Sequence, residues 1–353
     1  MESTQKQFDL ANGNYILDIQ GPEKRLKELW KRNFEAQSDP VVYEGVLYCS
    51  EDHTFYAIDP DTGNTIWEFK TPGRTTSPVF YNDLLIFGGN YIDNHVYALN
   101  KNSGQEIWKY KTGPSTAPVK RTPIVQDDLL YLTAGKTIHC ISVLTGKKQW
   151  TFGLKKKSGN TNMVIASGKI YAVTQEASGK EELQCIDSQK KELVWKIKTP
   201  DLWSNLICAE GYLFYLNTNA ELCEVNLVTG AVVKSKIADL TIRITNGSLN
   251  YNNGILIITV ANYILGLNLT TNPWSWQWNF KTKADIGRPV IAQDKIYFAT
   301  MGDGIYALDA NSGQELFHKV SDVRSGLACG IDNSKIFVAG SMSEKELTAY
   351  GES

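Results

Sequence analysis

The chain has 353 residues, 42% of them hydrophobic and 21% charged, with 36 basic against 38 acidic residues and a formal net charge of −2. That balance is ordinary for a globular protein and supplies no whole-molecule field for nucleic acid or an anionic membrane. No stretch approaches the roughly 18 apolar residues of a membrane span, and Met1-Glu-Ser-Thr-Gln-Lys-Gln-Phe8 has neither the basic nor the apolar region of a signal peptide, so the cytoplasm is the expected location.

In chain order, residues 22–31 come first as a candidate element. Pro22 suits a first helical position, and Leu26, Leu29 and Trp30 share a helical face, so the segment can begin as a helical turn. Tyr15-Ile-Leu-Asp18 resembles a third strand of the repeat described next and competes with Glu346-Leu-Thr-Ala-Tyr350 for that place.

From about residue 38 to 351 one unit recurs in steps of about 40 residues. Its clearest copy is Ala57-Ile-Asp59-Pro-Asp-Thr62-Gly63-Asn-Thr-Ile-Trp67. It returns around Trp108, Trp150, Trp195, Lys234, Trp278 and Phe317. Within one copy, Ser77–Tyr81, Leu84–Gly88, His95–Leu99 and Gln105–Tyr110 read as strands separated by turn residues. Four short antiparallel strands repeated at this period make a propeller blade. Second-strand onsets at Val46, Leu84, Leu129, Lys169, Tyr212, Ile255, Lys295 and Lys335 give eight blades. The expected fold is therefore one all-β, eight-bladed propeller domain. The last unit stops before a fourth strand, so the N-terminal segment, about residues 1–37, should supply it around Trp30 and close the ring.

The spacing A-x-D-x-x-T-G-x-x-x-W resembles the tryptophan-docking motif of quinoprotein-type (PQQ-like) β-propellers. Ala57, Asp59, Thr62, Gly63 and Trp67 match it in full; blade four has Lys191 for the glycine, blade five Lys234 for the tryptophan, and blade six two extra residues around Asn272-Pro273. The resemblance implies that Trp30, Trp67, Trp108, Trp150, Trp195 and Trp278 pack on the glycine-bearing turn of the adjoining blade. A buried indole has a large apolar face and still needs a partner for its N–H. Trp203, Trp274 and Trp276 lie outside that position. The family's enzymes are dehydrogenases that hold pyrroloquinoline quinone and calcium over the axis, several with an adjacent Cys-Cys pair; its non-enzymes include the propeller lipoprotein of the outer-membrane β-barrel assembly machine. This chain's six cysteines include no adjacent pair and no CxxC.

The search for chemistry yields no catalytic, cofactor or metal residues. His53, His95 and His139 fall at third strands of separate blades, and His318 stands alone. The carboxylate pairs Asp59/Asp61, Asp127/Asp128 and Glu181/Glu182 fall in expected turns or loops. Lys155-Lys-Lys157 reads as a solvated loop. In a propeller, the loops joining one blade's fourth strand to the next blade's first cluster with the second-to-third-strand loops on one face around the axis. The longest connections here, 111–121, 153–161, 236–247, 89–94 and 174–182, belong to that set. Arg74, Arg121, Arg243, Arg288 and Arg324 lie in inter-blade connections. With Trp203 they form the candidate interaction face, an electropositive mouth suited to an acidic peptide or small anion. The expected function is a non-enzymatic, protein-binding scaffold or sensor subunit without a cofactor. The alternatives are a small-ligand or glycan-binding propeller and a quinone-dependent dehydrogenase.

Overall fold

The computed structural model describes residues 16–17, 19–23 and 25–353, apart from 115–116, 159–161, 176–180, 200–201, 203, 220, 237–246, 333 and 341–344. Among the described residues there is no helix, and eight antiparallel sheets of four principal strands form the ring of an eight-bladed propeller. Blade one shows the pattern: Val41–Tyr43, Val46–Glu51, Thr54–Ile58 and Thr65–Lys70, in spatial order from axis to rim. All eight second strands begin at the residues inferred from the sequence, from Val46 to Lys335.

Burial follows position in the blade. Second and third strands are covered on both faces by neighbouring blades, so Leu47, Cys49, Phe55, Ala57 and Ile58 are wholly buried. Fourth strands lie at the rim, where Thr65–Lys70 alternates between exposed and half-buried. Five of the first hairpin turns use two successive residues at positive φ, such as Glu44 (48°) with Gly45 (75°) and Asp127 (50°) with Asp128 (60°). That geometry matches the twist of the strands it joins.

The ring closes through the last blade. Leu26–Asn33 pairs antiparallel with Glu346–Glu352, from Leu26 opposite Glu352 to Asn33 opposite Glu346. No helical turn forms over 22–31, because pairing with the otherwise open edge of Glu346–Glu352 satisfies its backbone. Glu346–Glu352 is the third strand of that blade. Ile16–Leu17 instead pairs in parallel with Val290–Ala292, the innermost strand of blade seven, and so lies at the axial channel.

Four of the joints between blades share one hydrogen-bonded geometry. The ring N–H of Trp30 donates to the Pro60 carbonyl, Trp67 to Lys101, Trp108 to Val143 and Trp195 to Leu227, at 2.9, 3.0, 3.1 and 3.1 Å. Each acceptor lies in the next blade's turn, directly after Asp59, Asn100, Ser142 or Asn226. Asp59 Oδ1 accepts from the backbone N–H of Asp61 and Thr62, both at 2.9 Å, which shapes the turn. A β-bulge precedes the rim aromatic in the other seven blades, including the closing one, and turns the ring sideways toward the neighbour. Blade five, with Lys234, pairs without a bulge. The turn facing it, in blade six, is also the one with the cis Asn272-Pro273 bond. There Trp274 projects back from blade six and packs on Tyr212 and Phe214 of blade five, with ring centroids 5.9 and 5.3 Å away. At this joint the tryptophan comes from the opposite partner.

Candidate functional site

The inter-blade connections and the second-to-third-strand loops lie together on one face. Isolated bridges tie them: Ala36 with Glu51, Thr75 with Gly89, Val119 with Ala134, Leu202 with Asn217 and Ile286 with Thr300. At the centre of this face is a cavity of about 250 Å³.

Its wall is built by a local rule. In four blades the residue entering the first strand precedes a proline: Asp39-Pro40, Ser77-Pro78, Thr122-Pro123 and Arg288-Pro289. Proline has no N–H to leave unpaired and fixes φ, so it suits the first position at a strand entry. All four preceding residues line the cavity. Met163 and Leu327 complete the wall from blades four and eight, and Lys120 and Arg121 stand beside Thr122.

Asp39 is the structural centre of the cavity. It is 5% exposed, and its Oδ2 pairs with Arg288 at 2.5 Å and accepts from the Ser77 hydroxyl at 3.3 Å. Its Oδ1 accepts from the Ala328 N–H at 3.0 Å. One carboxylate thus ties together connections leading into blades one, two, seven and eight. Buried polar oxygens need hydrogen-bond partners of this kind.

Of the residues expected at this face, Arg121 and Arg288 come together in the cavity wall. Arg74 lies outside it but adjoins Thr75, which lines it; its guanidinium sits 4.8 Å over the Tyr91 ring and donates to the Tyr91 hydroxyl at 3.4 Å. Arg324 is exposed in the connection to blade eight, bridges to Met301 through its backbone, and does not line the cavity. Arg243 and Trp203 lie outside the described residues. Five of the chain's seven arginines fall in inter-blade connections, the other two being Arg25 and Arg32. Sequence reasoning missed Asp39, Lys120 and the exposed Tyr91-Ile92 pair, which is 63% and 68% exposed. The residue-before-proline pattern could have found Asp39.

Other polar clusters hold loops in place. Asp93, 1% exposed, accepts from the Tyr97 hydroxyl at 3.0 Å and contacts His95 Nδ1 at 3.0 Å. Desolvation, with Asp93 alongside, raises the Tyr97 phenol above its usual range. The Tyr306 hydroxyl donates to Asp303 at 2.6 Å, which holds that carboxylate below its ordinary value. Glu181 and Glu182 are not in a solvated loop: they begin the strand Glu181–Asp187 and are buried. Glu182 is paired with Lys156 at 2.9 Å and Lys196 at 3.5 Å, and Glu181 accepts from the Leu202 N–H.

A quinone and calcium do not fit these residues. Among the described lining residues the one carboxylate, Asp39, is already engaged by Arg288, and calcium takes 6–8 oxygen ligands. None of the six cysteines lines the cavity, and among the described residues no group of three or more His, Cys, Asp or Glu could hold a metal ion. No helix among the described residues is long and apolar enough to cross a membrane.

Ring, blade architecture and inter-blade turns together define a β-propeller of the PQQ-like repeat class. The chain belongs to the family PQQ_2, whose model, described as "Outer membrane protein assembly factor BamB", matches residues 25–236. Among solved structures, it resembles BamB from Moraxella catarrhalis at 12% identity and a TM-score of 0.68, covering 93% of this chain and 100% of that one. It is similar to the quinohemoprotein alcohol dehydrogenase from Comamonas testosteroni at 13% identity and a TM-score of 0.71, covering 93% of this chain and 76% of that one. A europium-containing methanol dehydrogenase, at 11% identity and a TM-score of 0.71, is covered to 98%, as is this chain. These likenesses concern the fold. No curated protein sequence matches.

Proposed function

We propose that this protein is a non-enzymatic scaffold or sensor subunit that binds a protein partner through the loop face around the axial cavity. The observation that carries this reading is the exposed Tyr91-Ile92 pair, braced by Arg74, beside the polar cavity that Asn90 lines. Aromatic residues and arginine dominate interface hot spots, and an apolar anchor beside a polar pocket is their usual setting. Membership in a family described by an assembly factor supports the same reading.

The test is affinity purification from the native host with three forms of the protein: wild type, Tyr91→Asp on the loop face, and Val228→Asp on a turn of the opposite face, where Val228 is 80% exposed. A stoichiometric protein held by wild type and Val228→Asp but released by Tyr91→Asp is the expected result. Recovery of the bare propeller in all three, or equal loss from both variants, would refute the reading.

A further inference from the structure

We infer that the rim of the joint between blades five and six is a docking site for an arginine or lysine side chain, carried by an extended segment of a partner protein. The site lies at the rim rather than on the loop face and stands independently of the reading above. Three observations carry it.

The first is a carboxylate where the fold elsewhere keeps a small residue. In the other seven blades a row of paired residues runs from the second strand to the rim aromatic; in blade four it is Tyr171, Cys185 and Trp195. The middle residue is alanine, cysteine or glycine in each, from Ala57 opposite Trp67 to Ala349 opposite Trp30. In blade five the row is Phe214, Glu224 and Val233. Without the bulge the register moves by one, so Val233 stands where the indole stands elsewhere, and Lys234 pairs with Cys223. Glu224 is half-buried, and among the described residues its carboxyl has no hydrogen-bond or ion-pair partner. Desolvation raises its pKa above the ordinary value. An unpaired, partly desolvated carboxylate gains from a cation brought beside it.

The second is the aromatic surround. Phe214, next to Glu224 in the row, carries Trp274 of blade six at a ring-centroid distance of 5.3 Å. Trp276, 43% exposed, pairs with Leu267, and Leu267 is buried in one cluster with Ile207 and Phe214 of blade five. Paired residues share a sheet face, so Trp276 is on the face of blade six turned toward this joint. Indole faces attract guanidinium and ammonium groups. Carboxylate and indoles together therefore favour a cation on an alkyl stem.

The third is the shape of the rim. Val233 is 57% exposed and too short to cover the joint as an indole does. The joint is open at the rim, whereas sites for free small molecules enclose most of their ligand. The adjoining strand supplies the rest of the contact. Val232–Lys236 pairs residue for residue with Glu221–Val225, and no described strand covers its outer edge. A bulge blunts that edge in the other blades. Here it is straight, so an extended segment can add to it through main-chain hydrogen bonds. A side chain of the added strand opposite Val233 continues the row and reaches over it to Glu224.

The experiment is to pan a displayed random-peptide library on the whole protein and on its Glu224→Gln variant. Arginine methyl ester is titrated in parallel by calorimetry. The expected result is enrichment of peptides with Arg or Lys flanked at alternate positions by β-branched or aromatic residues. Synthetic copies should weaken at least about tenfold on Glu224→Gln, or when norleucine replaces their basic residue, as loss of a charge-assisted contact requires. Val233→Arg, which supplies a guanidinium in cis at an exposed position, should block them, and Tyr91→Asp should leave them unchanged. No enrichment, enrichment without basic residues, or equal binding to wild type and Glu224→Gln would overturn the inference. Binding of arginine methyl ester without peptide enrichment would also overturn it, in favour of a free small cation. Peptides lost on Tyr91→Asp but kept on Glu224→Gln would support the loop face and remove this site.

Discussion

The joint between blades two and three offers a stringent test of how the ring is held. Trp108 is 9% exposed, its N–H is bonded to the Val143 carbonyl, and its six-membered ring lies on Gly146. A Cβ at Gly146 would stand 2.7 Å from Cδ2 and Cε3 of Trp108, and the glycine is at φ +65°. Trp108→Ala removes a large buried aromatic, for a loss of about 3–5 kcal/mol. Gly146→Ala combines a left-handed backbone penalty of about 1–2 kcal/mol with overpacking of about 1–3 kcal/mol. In the Trp108→Ala background only the backbone penalty is left, so the two substitutions should couple by about 1–3 kcal/mol. Gly168 supplies the control: it is at φ +70° with nothing within 4 Å of a Cβ. Gly168→Ala should show the backbone penalty alone in either background. Urea unfolding followed by far-ultraviolet circular dichroism measures all six proteins. If Gly146→Ala loses the same stability in both backgrounds, or no more than Gly168→Ala, the indole-on-glycine contact does not hold the joint. A Trp108→Ala loss below about 1 kcal/mol would have the same consequence.

Three further outcomes are expected. Removing residues 1–35 deletes Leu26–Asn33 and exposes the edge of Glu346–Glu352, so the melting temperature should fall sharply; unchanged melting would contradict closure by that strand. Trp274→Ala should destabilise the protein by about 2–4 kcal/mol through loss of its contacts with Tyr212 and Phe214, and a surface-like change under 0.5 kcal/mol would show that the joint is held otherwise. His139 is 4% exposed, and burial, with Lys148 nearby, pushes its pKa down to about 4. Its unfolded form binds a proton first, so stability should decline as pH falls from about 6.5 to about 4, by roughly 3 kcal/mol in all. Urea midpoints of wild type and His139→Gln across that range should converge toward low pH; parallel curves would rule out this proton.

The strands were legible because each depends on nearby residues. Asn82-Asp83 and Leu84–Gly88 state a turn and a strand within seven residues. The closing strand was legible in a different way, through a missing fourth strand at one end and an extra rim tryptophan, Trp30, at the other. Its local pattern still misled: Pro22, Leu26, Leu29 and Trp30 satisfy a helical spacing, and only the distant edge at Glu346–Glu352 makes the segment extended. Glu181 and Glu182 misled for a similar reason: Glu182 pairs with Lys156, 26 residues earlier, and with Lys196 on the next strand, while Glu181 accepts from the Leu202 N–H. The axial cavity is harder still. Asp39 and Arg288 are 249 residues apart and meet only because the ring brings non-adjacent blades to one axis. Arginine in the connections signalled the face; the acid that organises it is one of 38 acidic residues.

Closure by Leu26–Asn33 also sets an order of events during synthesis. The strand that seals the ring leaves the ribosome before any complete blade, yet its partner, Glu346–Glu352, follows all the other strands of the ring. Each blade from one to seven can form from contiguous chain, while the earliest rim strand must wait with an unpaired edge and an exposed indole. The final pairing spans more than three hundred residues, the kind of non-local contact that folds late. Until then the nascent ring is an open spiral with two mutually complementary edges, and at high concentration those same edges can pair between two unfinished copies.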